Sequence, residues 1–150
     1  MRTLDIVIAS AARVFGIKLY AVDPHNGEVS ATDGGVQRFE PTFERFLNNI
    51  TATGLGDTVV VLRKHSWEVE WTEPLALLFI DGLHDYANVS RDFAHFERTL
   101  RPGAYVAFHD YADFFPGVKL FVNELLQRGD FLQVHCAGTL ILLRRVTSST

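Results

Sequence analysis

Two apolar runs in this chain end abruptly in ionisable residues. Leu77 to Tyr86 reads LLFIDGLHDY, and Ala104 to Tyr111 reads AYVAFHDY. The first closes on Asp81, His84 and Asp85, the second on His109 and Asp110. Carboxylates next to imidazoles suit two kinds of chemistry. Carboxylate oxygens hold hard divalent cations such as Mg²⁺, while an imidazole ligand suits Mn²⁺ or Zn²⁺ better. An imidazole also accepts a proton near neutral pH, which makes His84 and His109 candidate general bases. Two quieter signals have the same form. Asp23 ends KLYAVDPH, and His65 and Ser66 follow TVVVLR. A carboxylate offers several acceptor sites to a pair of hydroxyl donors. The ordinary use of such an Asp is to cap the turn before Pro24, and His25 and Asn26 read as residues that shape the following loop.

Groups so scattered need a scaffold that gathers them. Leu4, Val7, Ile8, Ala11, Val14 and Phe15 recur at helical spacing, which predicts a helix over roughly residues 3–15 closed by Gly16. A short strand over 18–25 follows, then a loop over 26–35 rich in turn formers. Helical spacing resumes from Pro41 to Thr53, and the β-branched run at 58–63 predicts a buried strand. LALLFID forms another strand. Tyr86 to Leu100 forms a helix with Asp85 as its cap, ended by the sequence Arg101-Pro102-Gly103. A strand over 104–110, a helix over 117–129 and two strands joined at Gly138 and Thr139 complete the chain, with a frayed tail at 147–150. Continuous apolar strands alternating with amphipathic helices indicate an α/β sheet covered on both faces and closed by an antiparallel hairpin. Ligands bind such sheets at the carboxyl ends of the strands, which is where Asp23, His65, Ser66, Asp81, His84, His109 and Asp110 all fall.

Composition narrows the classes. A chain of 150 residues with 47% hydrophobic content is the size of one domain with an ample core. A net charge of −4 argues against a general nucleic-acid binder, and no apolar run is long enough for a membrane span. The opening MRTLDIVIASAA mimics a signal peptide, but Asp5 interrupts it and the segment continues as a helix. Cys136 is the single cysteine, which fits a reducing cytoplasm, and its apolar setting predicts a small core residue.

YAVDPH, LLFIDGLHDY, the helix with Arg91-Asp92-Phe93 and LRPGAYVAFHDY together resemble the class I S-adenosylmethionine-dependent methyltransferases. The match is to the subgroup of metal-assisted O-methyltransferases of small molecules and sugars. The resemblance implies a Rossmann-like seven-stranded sheet of order 3-2-1-4-5-7-6 with strand 7 antiparallel. It also implies roles for individual residues. Asp23 would bind both ribose hydroxyls of the cofactor; His65, Ser66 and Asp81 would be further cofactor-binding positions, with His65 and Ser66 near the adenine. Trp67 either stacks on that ring or, as the commoner use, packs in the core. Asp81, His109 and Asp110 would hold a divalent cation, Mg²⁺ or Mn²⁺. Asp81 and Asp110 are the stronger ligands, since the family often carries two acidic residues where His109 and Asp110 stand. Tyr111, Phe114 and Phe115 would wall a site for a small hydroxylated acceptor or form a partner surface.

One departure stands against the resemblance. The family's first strand and glycine-rich turn precede its first helix, and here the chain begins where that helix is already under way. LDIVIA cannot be that strand, because about nine residues separate it from KLYAVD, fewer than a helical crossover needs. This leaves a truncated chain, a misassigned start or a divergent form with weakened cofactor binding. A binding or assembly module, with exposed strand edges that favour a homo-oligomer, is therefore a second expectation. A metal-dependent hydrolase is a third, weakened by too few fixed-spacing ligands for two metals.

Overall fold

The structure is a computed structural model and describes residues 3–27 and 42–146. The loop expected at 26–35 and the tail at 147–150 therefore lie almost wholly outside the described residues. The described residues up to Val69 form one compact unit and those from Glu70 a second.

In the first unit, helix α1 (Thr3–Val14) leads to strand β1 (Leu19–Val22), and helix α2 (Phe43–Ala52) leads to strand β2 (Val59–Leu62). β1 and β2 pair in parallel, with Leu19 opposite Val59 and Val22 opposite Leu62. Ala9, Phe46, Ile50, Leu55 and Val59 form their buried core. Among the side chains of α1 from Ile6 onward, the small Ala9 and Ala12 are the buried ones, whereas Val7 and Val14, and Phe15 just after the helix, which help to reveal it in the sequence, are exposed.

In the second unit, strands β3 (Leu75–Ile80), β4 (Leu100–Phe108), β5 (Phe131–Ala137) and β6 (Leu140–Arg145) form a sheet of order β3-β4-β6-β5. β3 and β4 are parallel, and β6 runs antiparallel to both β4 and β5. Helices α3 (Tyr86–Glu97) and α4 (Pro116–Arg128) supply Val89, Phe93, Val118, Phe121, Val122 and Leu125 to a core built on Val106, Phe108, Ile141 and Leu143. Phe93 sits at its centre, with the rings of Phe121, Phe131 and Phe108 at 5.5, 5.6 and 6.0 Å. Pro116 starts α4, where its missing N–H costs nothing, and Gly129 ends it at φ 80°.

The four-stranded order reproduces the 4-5-7-6 part of the expected sheet, including its antiparallel member, and β1 with β2 reproduces the 2-3 part. In that order the first strand stands between the two sets, and no described residue supplies it. Two local expectations are corrected. Arg101, Pro102 and Gly103 do not separate helix from strand but belong to β4, which starts at Leu100. The ladder shifts register between Leu75 and Leu77, so Pro102, which has no N–H to donate, is left out of the pairing. Cys136 is exposed rather than buried, because β5 is an edge strand whose only buried residue is Phe131. Among the described residues no helix is long and apolar enough to cross a membrane.

Candidate active site

The parallel pairing of β3 and β4 brings their carboxyl ends side by side. The ladder continues one residue past the strands, with the His109 N–H donating to the Ile80 carbonyl at 3.0 Å. Asp110 then turns the chain with φ 61°, a left-handed conformation that costs a non-glycine residue about 1–2 kcal/mol. The turn is tied down next, by the Tyr111 N–H donating to the Thr139 carbonyl at 2.8 Å.

These constraints gather four of the expected residues. Nδ1 of His109 lies 2.8 Å from Asp110 Oδ2 and 3.3 Å from Asp81 Oδ1, and Nε2 of His84 lies 2.9 Å from the same Asp110 oxygen. Asp110 is buried, only 8% exposed. One donor atom each from Asp81, His109 and Asp110 fall within 4.8 Å of one another. Octahedral ligands at about 2.1 Å from a cation are spaced about 3–4.2 Å apart, so the group has roughly the span of a cation site. Nδ1 of His109 is buried and makes no hydrogen bond of acceptable angle despite its two close carboxylate oxygens. A nitrogen lone pair and carboxylate oxygens repel when they face one another directly. They are compatible when all point to a shared positive charge, so the donor set fits a divalent cation.

The loop carrying His84 is fixed from two sides. Asp85 caps α3, its Oδ1 accepting from the Asn88 N–H at 2.9 Å, as its position before the helix predicts. Gly117 of α4 comes against the same segment. A Cβ on Gly117 would overlap the Tyr86 nitrogen and lie 2.9 Å from the His84 carbonyl oxygen. In the sequence Gly117 opens a helix and shows no further role; the Pro-Gly pair after an aromatic loop is the signal for this close approach. Phe115 packs its ring 4.1 Å from that of His84. Tyr111 donates its hydroxyl to Asn123 Oδ1 at 2.8 Å, which leaves Phe114, 69% exposed, as the outward aromatic of the three. Tyr86 donates to Glu124 Oε2 at 2.6 Å, and this bond to a carboxylate holds its phenol above the ordinary value.

Asp23, His65 and Ser66 lie in the first unit. The Asp23 N–H extends the β1–β2 ladder by donating to the Leu62 carbonyl at 3.2 Å. Its side chain remains 59% exposed. His65 and Ser66 open a single 3₁₀ turn over Ser66–Glu68, in which Glu68 Oε2 accepts from the His65 N–H at 2.8 Å. Trp67 stacks on the His65 ring at 4.2 Å and stays 42% exposed, so it is not a core residue. His95 is half-buried within α3 and His135 is exposed on β5.

The fold has close relatives in shape. The O-methyltransferase NovP superposes with a TM-score of 0.70 at 18% identity, over 95% of this chain and 66% of that one. CalS11, the calicheamicin methyltransferase, gives 0.66 at 15% identity over 93% of this chain and 66% of its own. TomG, an O-methyltransferase of tomaymycin synthesis from Streptomyces achromogenes solved with S-adenosylmethionine, gives 0.58 at 15% identity over 95% of this chain and 79% of its own. The chain thus spans about two thirds of the length of NovP and CalS11. The sequence model of the methyltransferase-domain family Methyltransf_24 matches residues 6–111, from α1 through the turn that carries His109 and Asp110. A match over more than two thirds of the chain, on the fold of the class I S-adenosylmethionine-dependent enzymes, means that this chain belongs to that methyltransferase family.

Proposed function

We propose that the chain transfers a methyl group from S-adenosylmethionine to a hydroxyl of a small molecule or sugar, with a divalent cation at Asp81, His109 and Asp110. The observation that carries this reading is the convergence of those three side chains at the ends of β3 and β4. When bound, the cofactor would supply an electrophilic methyl on a sulfonium, and a cation held there would lower the pKa of the acceptor hydroxyl and orient it. This chain's residues do the rest. Asp23 accepts hydrogen bonds from the ribose hydroxyls, and His65 and Ser66 border the adenine. Nε2 of His84 lies 2.9 Å from the Asp110 carboxylate, and the ring's other nitrogen would take the acceptor's proton as the methyl passes from sulfur to the acceptor oxygen. The products would be the methyl ether and S-adenosylhomocysteine. His109 is the alternative base, and a reducing cytoplasm suits the lone, exposed Cys136.

The test is methyl transfer from labelled cofactor to a panel of catechols, sugar nucleotides and flavonoids, with Mg²⁺ or Mn²⁺ and with chelator. Cation-dependent labelling of an acceptor is the expected result. Equal labelling after chelation would remove the cation from the reading, and no labelling alongside no binding of S-adenosylhomocysteine would remove the methyltransferase activity itself.

A specific observation favours assembly as a second property. Leu77, Tyr105, Arg144 and Leu132 stand in register across all four strands of the second sheet. All four are exposed, on the face opposite Leu78, Val106 and Leu143. Such a row invites burial against another chain. Sedimentation analysis reads it: a stable monomer at high concentration would dismiss it.

A further inference from the structure

Two described residues other than glycine adopt a left-handed backbone, Asp110 and His25. Both are buried polar residues just beyond the carboxyl end of a parallel strand. Asp110 belongs to the site described above. His25 sits two residues past Asp23, and its φ of 55° places it where an ordinary side chain is strained. The strain is held by an unusual set of contacts. Nδ1 of His25 is 2.9 Å from the hydroxyl of Thr42. Its ring lies 4.8 Å from that of Phe46 and 5.4 Å from that of Phe43, and the residue is only 6% exposed. Thr42 is the residue that precedes α2, yet its side chain makes no capping bond to that helix. Omitting a cap forgoes helix stability. The hydroxyl is spent on His25 instead.

What this arrangement yields is a fixed N–H. The backbone nitrogen of His25 donates to Asp23 Oδ1 at 2.6 Å. Nδ1 of the same residue is 3.8 Å from that oxygen, too far for a hydrogen bond. One oxygen of the carboxylate is thus immobilised, while the side chain as a whole stays 59% exposed. The guanidinium of Arg63 closes the other side of the turn, 4.4 Å over the Phe43 ring with Nε 3.4 Å from the Pro24 carbonyl oxygen.

We propose that His25 is a positioning residue. Its imidazole, anchored on Thr42 and between Phe43 and Phe46, clamps the left-handed turn whose N–H orients Asp23 toward a vicinal diol. This rests on the reading of Asp23 as the ribose-binding carboxylate. It adds that the carboxylate is pre-oriented from α2, by a residue that touches no ligand. A hydrogen bond to a charged group is among the stronger ones, and releasing the clamp forfeits a part of it, roughly a tenfold loss of affinity.

The experiment is calorimetric titration of the whole chain with S-adenosylhomocysteine and with its analogue lacking both ribose hydroxyls. The variants are His25→Asn, which tolerates the left-handed turn but cannot reach Thr42, Thr42→Val, which removes the anchor, and Thr42→Ser, which keeps it. We expect His25→Asn and Thr42→Val to weaken S-adenosylhomocysteine roughly tenfold, Thr42→Ser to bind like the wild type, and the analogue to bind all four proteins alike. A change that was merely structural would weaken both ligands together, and that result overturns the proposal. So does unchanged binding in both His25→Asn and Thr42→Val. If the wild type binds neither ligand, the cofactor reading itself fails, which is a different outcome from a wild type that binds and variants that do not differ.

Discussion

The turns after β1 and β4 use the same backbone device for opposite purposes. Each ends a parallel strand, and each places a buried polar residue at positive φ, His25 at 55° and Asp110 at 61°. After β4 the strained residue is itself the proposed cation ligand, with two imidazoles within 2.9 Å of its Oδ2. After β1 the strained residue is a clamp, and the exposed Asp23 two positions earlier is the group it aims. The two proposed sites thus share a backbone device and differ in the partners of the strained side chain. Thr42, Phe43 and Phe46 surround His25, whereas His84 and His109 surround Asp110, the proposed ligand.

This contrast can be broken experimentally. The largest effect belongs to Asp110→Asn, which keeps a residue tolerant of the left-handed turn but removes the charge. Methyl transfer should fall about a hundredfold or more, with S-adenosylhomocysteine affinity little changed. A variant that transfers at the wild-type rate would make Asp110 a structural clamp like His25 and erase the distinction. Gly117→Ala comes next. Its methyl overlaps the backbone of Tyr86, so thermal unfolding should show a loss of about 1–3 kcal/mol, accompanied by weaker cation binding because the His84 segment is displaced. Unchanged stability would mean that α4 does not brace the loop. Asp85→Ala is the smallest, about 1 kcal/mol from the lost cap of α3. Chemical denaturation reads it, and it should leave the first unit's ligand affinity intact.

Much of the scaffold was legible in the sequence because it is written in periodicity. The alternation of apolar runs and amphipathic helices foretold every strand and every α-helix of the described residues, and the strand ends foretold where Asp81, His84, His109 and Asp110 would meet. Four things were not legible. The left-handed turns at His25 and Asp110 depend on tertiary anchors such as Thr42 and Thr139, which no local window contains. Pro102 reads as a breaker, yet a register shift lets the strand run through it. Cys136 sits in an apolar run that looks like a core strand, but composition does not reveal which strand ends up at the edge of the sheet. The 3₁₀ turn at Ser66–Glu68 went unseen for a related reason, since a single turn has no period to detect.

The bond from the Tyr111 N–H to the Thr139 carbonyl has a consequence for hydrogen exchange. It spans from the loop that carries Asp110 to the tip of the β5–β6 hairpin, so the Tyr111 amide can exchange with solvent only when one of the two lets go. The hairpin tip and the reactive loop therefore share an opening event, and a single amide reports on both. Whatever orders the loop should slow deuterium uptake at Tyr111, and the fraying rate of a distant-looking hairpin becomes a clock for the site.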